Sequence, residues 1–540
     1  MKLTTLTLLM CSLACAQSMD PSDIEKLKAT LADQQKQLET LAQSIKAQQK
    51  LIDALSANQA QAAPAAQPFR RIGGDVASSV PTLTPGAITA SAPKAAQTNS
   101  GAGAVSPLQL QIGETSIIPI GFLDLTGVWR DRNAASGIGS NFASVPYGNT
   151  VAGHLSEFRF SPQNSRLGFR MDTNVHGAHV TGYNEFDFLG TSGGNNLGVT
   201  NGGFVPRLRL FWVDVRKNNI EFLAGQSWSM MTPNRKGISA LPGDLFYSQV
   251  IDVNYLIGLT WTRQPGLRVL FHAPKDKVTA GVSFENPNQY IGGSAGAPTV
   301  TLPNAFTSFA GSVFDNSSNV LNTPNLMPDI IAKVAFDPSS RLHFEVGGIV
   351  RAFKDYVQAS NQHFTKAGGG GMANVNFGIA KNVRLVSNNF LSDGAGRYLF
   401  GTVPDVVVRS DGRISPIHNH STTDGIELTM KNTLLYAYYG GVWVGRNVAL
   451  DANGTTPVGY GFTGSPNNHN RSIEEVTLGF NQTIWKDAKW GAVNYMMQYE
   501  YATRNPWFVA TGQPGGAHDN TIFLNIRYTL PGAPPPAPAK

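Results

Sequence analysis

Apolar and polar residues alternate with a period of two from about residue 115 to residue 530, and this pattern predicts β-strands. Gly, Asn, Asp and Pro separate the alternating segments. The clearest apolar faces are Ile522, Leu524, Ile526 and Tyr528; Leu208, Leu210 and Trp212; and Leu167, Phe169 and Met171. The opposing faces are Phe523, Asn525 and Arg527; Arg207 and Arg209; and Arg166 and Arg170. Each strand is therefore expected to have one apolar and one polar face.

The connections between these segments fall into two length classes that alternate strictly along the chain. Seven are short: Asn174-Gly177, Lys217-Asn219, Ala273-Asp276, Pro338-Ser340, Ala380-Asn382, Lys431-Asn432 and Lys486-Lys489. Eight are long: 131–153, 190–203, 230–257, 286–328, 353–366, 392–422, 446–471 and 504–519. Fifteen alternating connections imply sixteen strands with all short turns at one end, which is the layout of an outer-membrane barrel.

The alternative is a soluble β-sandwich, in which the polar faces would point to solvent over a packed core. A sandwich has no physical reason to place its short turns at one end and its long loops at the other, so the alternation of connection lengths favours the barrel. Trp129, Trp443, Trp485, Trp490 and Trp507 fall at or near predicted strand ends, as expected for aromatic girdles at the membrane boundary. The predicted fold is all-β: a 16-stranded antiparallel transmembrane β-barrel over residues 114–530, preceded by an N-terminal α-helical coiled coil.

The coiled coil is predicted over residues 20–57 from an unbroken heptad pattern. Its two core positions are Ile24, Leu31, Leu38, Ile45 and Ile52, and Leu27, Gln34, Leu41, Gln48 and Leu55. Such a stripe is buried by pairing with other helices. A lone amphipathic helix is the alternative, and the core residues leave dimer and trimer both open. An even strand number places both barrel termini on the periplasmic side, so the coil is expected in the periplasm. Residues 58–113 are rich in Ala, Pro and Ser and are expected to form a flexible linker.

The chain begins with the features of a secretory signal peptide, predicted over residues 1–16. Lys2 supplies the positive start, Leu3 to Leu13 is apolar, and Ala14-Cys15-Ala16 matches a cleavage site. A lipoprotein with Cys15 as its first residue is the alternative. Cleavage after Ala16 would leave a mature chain without cysteine. Residues 531–540 form a proline-rich tail.

Composition and motifs argue against nucleic-acid binding and against catalysis. The formal charge of +6 is too small over 540 residues to imply nucleic-acid binding. The Gly292-Gly293-Ser294-Ala295-Gly296 segment matches a nucleophile elbow but lies in a long loop without the strand-to-helix turn that the elbow needs. His418 and His420 have no evident third ligand for zinc. We therefore expect no catalytic residues, no metal and no cofactor; an adhesin or a barrel-borne enzyme without channel activity is the alternative.

Two motifs and the overall order of segments resemble known families. Ser165-Arg166-Leu167-Gly168-Phe169-Arg170 is similar to the second-strand signature of bacterial general porins, and Gly225-Gln226-Ser227-Trp228-Ser229 stands where these porins enter their constriction loop. The order of signal, coiled coil, linker and sixteen strands resembles the DcaP-like trimeric outer-membrane transporters. The chain departs from the porin pattern after Tyr528, where Thr529-Leu530 and a proline-rich tail follow.

The resemblance implies a homotrimer in outer-membrane lipid, folded by the barrel-assembly machinery, that passes small anionic solutes such as dicarboxylates. It also implies that a loop from about Met230 to Leu256 narrows the channel. The constriction-loop candidates are Arg235, Lys236, Asp244 and Asp252.

Strand alternation predicts a set of cations that face the lumen. They are Arg159, Arg166, Arg170, Arg207, Arg209, Arg268 and Lys333. Inward cations raise the local anion concentration in a narrow pore. Glu157, Asp172, Glu345 and Glu500 are expected to share the lumen, so the cations form either a basic ladder or ion pairs along the wall.

Overall fold

A computed structural model describes Glu25 and residues 106–190, 204–293, 297–317 and 323–531. The signal-peptide prediction lies outside these ranges, as do the coiled coil apart from Glu25 and the linker up to residue 105. Among the described residues, no helix has the length and apolar character needed to cross a membrane.

The described ranges are almost entirely β, and eighteen strands belong to one antiparallel sheet. In chain order the first half is β1 (Leu110–Ile112), β2 (Thr115–Arg130), β3 (Glu157–Ser161), β4 (Arg166–Val175), β5 (Ala178–Gly190), β6 (Val205–Lys217), β7 (Ile220–Trp228), β8 (Arg263–His272), β9 (Val278–Glu285), β10 (Asp329–Ser339) and β11 (Leu342–Val357). The second half is β12 (Gln362–Ala380), β13 (Val383–Asp393), β14 (Val406–Val408), β15 (Ile414–Pro416), β16 (His418–Met430), β17 (Thr433–Val444), β18 (Asn447–Leu450), β19 (Pro457–Tyr460), β20 (Asn470–Asp487), β21 (Gly491–Pro506) and β22 (Ala517–Thr529). Short 3-10 helices occupy Phe142–Ser144, Ala152–His154, Pro242–Asp244, Pro274–Asp276, Asn304–Phe309 and Gly396–Tyr398.

The sheet closes on itself as a sixteen-stranded barrel, as the sequence predicts. The first long strand pairs with the last, from Phe122 opposite Thr529 to Arg130 opposite Thr521. β3 and β4 pair with the two halves of β2 and together form one barrel strand, while β1 only extends the start of β2. Strands β14 with β15 and β18 with β19 form separate hairpins inside long connections. Closure leaves no unpaired sheet edge, which is the condition for a sheet to cross a membrane.

All seven predicted short turns lie at one end of the barrel, here called the turn end, and the long connections lie at the other, the loop end. One predicted long connection is wrong in extent: between β11 and β12 only residues 358–361 remain outside the strands, instead of residues 353–366. The reason is continued strand pairing, which runs from Leu342 opposite Phe377 to Val357 opposite Gln362. The polar residues of this segment suggest a loop, but they lie on strands that extend past the apolar band.

Side-chain exposure confirms the alternation in most strands. In β22, Leu524 and Ile526 face outward while Asn525 and Arg527 are buried inside the barrel. Trp129, Trp485 and Trp490 are exposed on the outer face, whereas Trp212, Trp228 and Trp261 are buried.

The apolar face predicted for β6 is wrong in its second half. Leu208 faces outward, but Leu210 and Trp212 are buried on the inner side, and Phe211 and Val213 take the outward positions. The register against β5 shifts at this point, since Leu208 lies opposite Phe186 and Leu210 opposite Glu185. A β-bulge inserts one extra residue and reverses the faces beyond it.

Candidate channel constriction

The connection from β7 to β8, residues 229–262, turns into the barrel and is here called the inner loop. The turn begins near Gly225, whose φ of +128° favours glycine. A Cβ atom on Gly225 would lie 2.3 Å from the carbonyl oxygen of Phe211, so a larger residue would push β6 away. Trp228, at the end of β7, is then buried among inner-loop side chains.

Polar side chains of the opposite wall accept hydrogen bonds from the backbone of the inner loop. Because the loop forms little regular structure, its buried N–H groups need such partners. The backbone N–H groups of Asn234, Ile251, Ile257 and Thr260 donate to Glu345, Gln498, Glu475 and Asn388 at 2.9, 2.7, 3.0 and 3.3 Å. These acceptors lie on β11, β21, β20 and β13, so the loop reaches across the lumen.

Two charged residues also fix the inner loop. Arg235 donates to both carboxylate oxygens of Glu427 on β16, at 2.6 and 2.9 Å. Lys333 on β10 donates to the Thr232 carbonyl and to the Asn234 side chain, and it pairs with Glu345 at 3.2 Å. Both cations were predicted as channel residues, and the structure places them as anchors of the loop.

Aromatic side chains fill the space between the inner loop and the strand ends. Trp228 has ring-centroid separations of 5.1, 6.2 and 5.8 Å from Tyr247, Tyr255 and Trp261. Tyr247 and Tyr255 stack at 4.6 Å. Each of these four rings, here called the aromatic cluster, therefore lies against at least two of the others.

Guanidinium groups border the aromatic cluster on the side of β6 and β8. Arg209 and Arg263 lie 5.6 and 5.2 Å from the centre of a Trp228 ring, within cation–π distance. Arg209 forms ion pairs with Glu185 at 2.6 Å and Asp187 at 2.7 Å. Arg207 pairs with the same Asp187 at 2.7 Å, and its side chain is 38% exposed.

Arg263 differs from Arg209 because no carboxylate among the described residues pairs with it. Its Nη1 atom is buried without a hydrogen-bond partner. Arg166 adds a further guanidinium, 3.8 Å from Glu185. Three guanidinium groups (Arg166, Arg207 and Arg209) thus share two carboxylates (Glu185 and Asp187), and Arg263 lies beside them without one. These four arginines, here called the arginine cluster, therefore carry excess positive charge.

Tyr255 on the inner loop responds to this charge. Burial alone would raise the pKa of the Tyr255 hydroxyl, but Arg166, Arg209 and Arg263 outweigh burial, and its pKa is lowered from the ordinary value. For the neighbouring Tyr247, burial prevails and the pKa is raised. The lowered pKa at Tyr255 is consistent with a positive electrostatic potential between the inner loop and the β6–β8 wall.

The other predicted lumen cations also face inward, and most have acidic partners. Arg159 pairs with Glu157, and Arg170 pairs with Asp172 at 2.7 Å. Arg268 donates to the Trp228 carbonyl at 2.6 Å. Acidic partners thus accompany much of the predicted ladder, and the excess charge is concentrated at the arginine cluster.

The remaining inner-loop candidates are separated from one another. Asp252 accepts hydrogen bonds from the backbone N–H groups of Ser140 and Asn254, at 2.9 and 2.7 Å, and burial raises its pKa to about 6. Burial also raises the pKa of Asp244, which lies near Ser239 and Lys236, and Lys236 itself is exposed. Asp252 therefore fixes the inner loop against Ser140.

Sequence reasoning missed Arg263, Glu185 and Asp187. Arg263 has the same parity along β8 as the outward-facing Leu267 and Val269, so alternation places it outside. Arg263 lies directly opposite Trp228 in the pairing of β8 with β7, and inner-loop side chains pack around Trp228 at this position. Glu185 and Asp187 follow the inward parity of β5, so alternation could have found these two.

Within the described ranges, no three His, Cys, Asp or Glu side chains are placed to hold a metal ion together. No protein-family model matches the sequence, and no curated protein matches it either.

Solved structures do match the chain, and the DcaP channel among them shows its fold. The outer membrane channel DcaP of Acinetobacter baumannii aligns with a TM-score of 0.55 and 16% identity over 79% of this chain and 100% of that one. An anion-selective porin from Comamonas acidovorans aligns with a TM-score of 0.43 and 12% identity over 77% of this chain and 100% of that one. OmpF of Salmonella typhi, in complex with daunomycin, aligns with a TM-score of 0.42 and 10% identity over 78% of this chain and 100% of that one. The chain has the barrel fold of the DcaP channel, which confirms the resemblance at the level of fold.

Proposed function

We propose that this chain, which has the barrel fold of the DcaP channel, is an outer-membrane porin: a passive, water-filled channel for small hydrophilic solutes. It works without an energy source and without catalysis. The observation that carries the proposal is an inner loop that spans the lumen of a closed barrel and is held there by the wall. Such a loop leaves a restricted path whose lining selects solutes by size and charge.

The charge preference that we propose is for anions, including dicarboxylates. It rests on the arginine cluster beside the inner loop, where three guanidinium groups share two carboxylates and Arg263 adds a fourth positive charge. A carboxylate in transit is attracted by this excess charge, because Arg263 has no acidic partner among the described residues to neutralise it. The predicted ladder contributes less, because acidic neighbours offset much of its charge.

The assembly that we propose is a homotrimer in outer-membrane lipid, with the coiled coil in the periplasm and the loop end facing outward. The heptad at residues 20–57 supports association, although it leaves dimer and trimer open. Mass measurement of the protein extracted in detergent tests this assembly, and a monomer or a dimer would contradict it.

Planar-bilayer recording tests the channel and its charge preference. The wild type should give stable open steps, with a reversal potential in a salt gradient that indicates anion preference. Arg263→Gln should shift the reversal potential toward cation preference. It breaks no ion pair, because Arg263 has no carboxylate partner among the described residues. Arg209→Gln with Arg263→Gln should shift the potential further, and the shift should shrink near 1 M salt, where screening acts over about 3 Å.

A charge-matched control is Arg413→Gln with Lys366→Gln, since both side chains are exposed and lie away from the inner loop. This pair should leave the reversal potential unchanged. Absence of open steps in the wild type would contradict the channel itself. Normal steps with an unshifted potential in the arginine variants would contradict only the anion preference.

A further inference from the structure

The outer face of the barrel carries a groove of about 630 Å³ near the loop end. It crosses β12, β13, β16, β17 and β20, where each of these strands approaches a long connection or the 358–361 turn. Its floor is Gly369 to Gly371, with Leu391 beside it and Trp443 and Trp507 on the far side. Leu391 is 68% exposed, so this surface faces outward rather than into the lumen.

The groove has an apolar floor and a polar, cationic rim. The ring of His420 stacks on Trp443 at 4.8 Å, and Arg446 lies 4.5 Å from the centre of a Trp507 ring. Arg471 is exposed at the groove, at an irregularity in the pairing of β20 with β21. Asp393 is the acidic side chain of the lining, and it pairs with His418.

Glycine maintains the depth of the groove. Gly371 lies on the outward parity of β12 with Ala373 and Val375, and a Cβ atom there would meet only the Gly347 carbonyl oxygen, at 3.7 Å. A side chain at Gly371 would therefore extend into open space without displacing the backbone. The groove is present because this position has no side chain.

The geometry points to a lipid-binding site that takes one acyl chain along the glycine floor and the phosphate of the same lipid at Arg471. Tryptophan rings favour the membrane boundary, where acyl chain and headgroup meet. Arginine binds phosphate through charge-assisted hydrogen bonds, and basic pockets on membrane proteins recognise anionic headgroups. The occupant is thus a phosphate-bearing lipid rather than a second protein, because the groove combines an apolar glycine floor with an exposed arginine, as a lipid combines an acyl chain with a phosphate.

Native mass spectrometry of the full protein, released from detergent, tests this site. The probes are phosphatidic acid, a diacylglycerol with the same two acyl chains, and inorganic phosphate. The wild type should retain phosphatidic acid more than the diacylglycerol. Gly371→Leu should lower retention of phosphatidic acid because it fills the groove, while Arg471→Gln should reduce it to the level of the diacylglycerol.

Two control variants match these changes. Ala373→Leu adds bulk on the same face of β12 outside the groove, and Arg413→Gln removes an exposed cation from a loop. Both should retain phosphatidic acid as the wild type does. Equal retention by Gly371→Leu and Ala373→Leu, or full displacement of phosphatidic acid by inorganic phosphate, would overturn the lipid site.

A third outcome concerns a protein occupant. If Gly371→Leu changed the subunit number and left lipid retention intact, the face would be a contact between copies and the lipid proposal would be wrong. Channel conductance is not expected to change in any of these variants, so failure of the lipid site is distinguishable from failure of the channel proposal.

Discussion

Arg235 of the inner loop forms a two-point ion pair with Glu427 on β16, with N–O distances of 2.6 and 2.9 Å. Glu427 is fully buried, and it also accepts a hydrogen bond from Tyr438 at 2.7 Å. The pair joins the first part of the inner loop to a strand that is far from it in sequence. Removing one partner of a buried pair is costlier than removing both, because the remaining charge is left without compensation.

Glu427→Gln should therefore destabilise the barrel by about 3 kcal/mol and release this part of the inner loop. Open-channel current should become noisier, because the loop would sample several positions in the lumen. The double variant Arg235→Gln with Glu427→Gln should recover part of the stability in thermal unfolding. A double variant as unstable as the sum of the two single variants would show that the pair is not coupled.

Leu208 and Leu210 give a matched test of the β-bulge. Leu210 is fully buried inside the barrel, while Leu208 is 44% exposed on the outer face. Leu210→Ala should cost about 2–5 kcal/mol through the cavity that it leaves, and Leu208→Ala should cost clearly less. Thermal unfolding in detergent measures both, and equal losses would contradict the reversed faces.

These two leucines also show where sequence reasoning stops. The period-two pattern and the alternating connection lengths suffice to predict a closed sixteen-stranded barrel, because both follow from the membrane and from antiparallel pairing. The sequence from Leu208 to Trp212 does not reveal the one-residue bulge, since leucine and tryptophan are common on both the lipid-facing and the buried face of a strand. The site was harder to predict than the fold, because Arg263 has the outward parity of β8 and joins the site only where its cross-strand partner Trp228 is covered by the inner loop.

Asp252 predicts a pH dependence of stability. Burial raises its pKa to about 6 in the folded protein, against about 3.9 for an unperturbed aspartate. A raised carboxyl pKa means that the folded state binds the proton more tightly than the unfolded state. The contribution of Asp252 to stability is therefore full below about pH 4 and is lost as pH rises toward 6.

The effect is at most about 3 kcal/mol, since each pKa unit corresponds to about 1.4 kcal/mol. Thermal unfolding of the wild type between pH 4 and pH 7 should show this loss, and Asp252→Asn should flatten it. The Asn side chain has only one acceptor oxygen, so the variant loses one of the two hydrogen bonds from Ser140 and Asn254. Its free energy of unfolding should therefore be lower across this whole pH range. An unchanged pH slope in Asp252→Asn would assign the dependence to other groups.

Shortening the inner loop should raise single-channel conductance. Residues 236–243 form an excursion closed by hydrogen bonds from Arg235 N–H to the Asp244 carbonyl and from Phe246 N–H to the Pro233 carbonyl, each at 2.7 Å. Replacing this excursion with two glycines would retain Asn234, Arg235 and the aromatic cluster. The channel should then conduct more at each step, because the space taken by the excursion becomes open to water and ions.

The control is removal of residues 452–455, the exposed tip between β18 and β19, which lies away from the inner loop. This deletion should leave conductance unchanged and should show that a shorter connection by itself does not widen the channel. Ion selectivity separates two possible sources of the increase. If the arginine cluster remains in the path, anion preference should persist in the wider channel, since Arg209 and Arg263 are retained. Higher conductance with lost selectivity would mean that the excursion directs ions toward the cluster, and unchanged conductance would place the narrowest point elsewhere in the barrel.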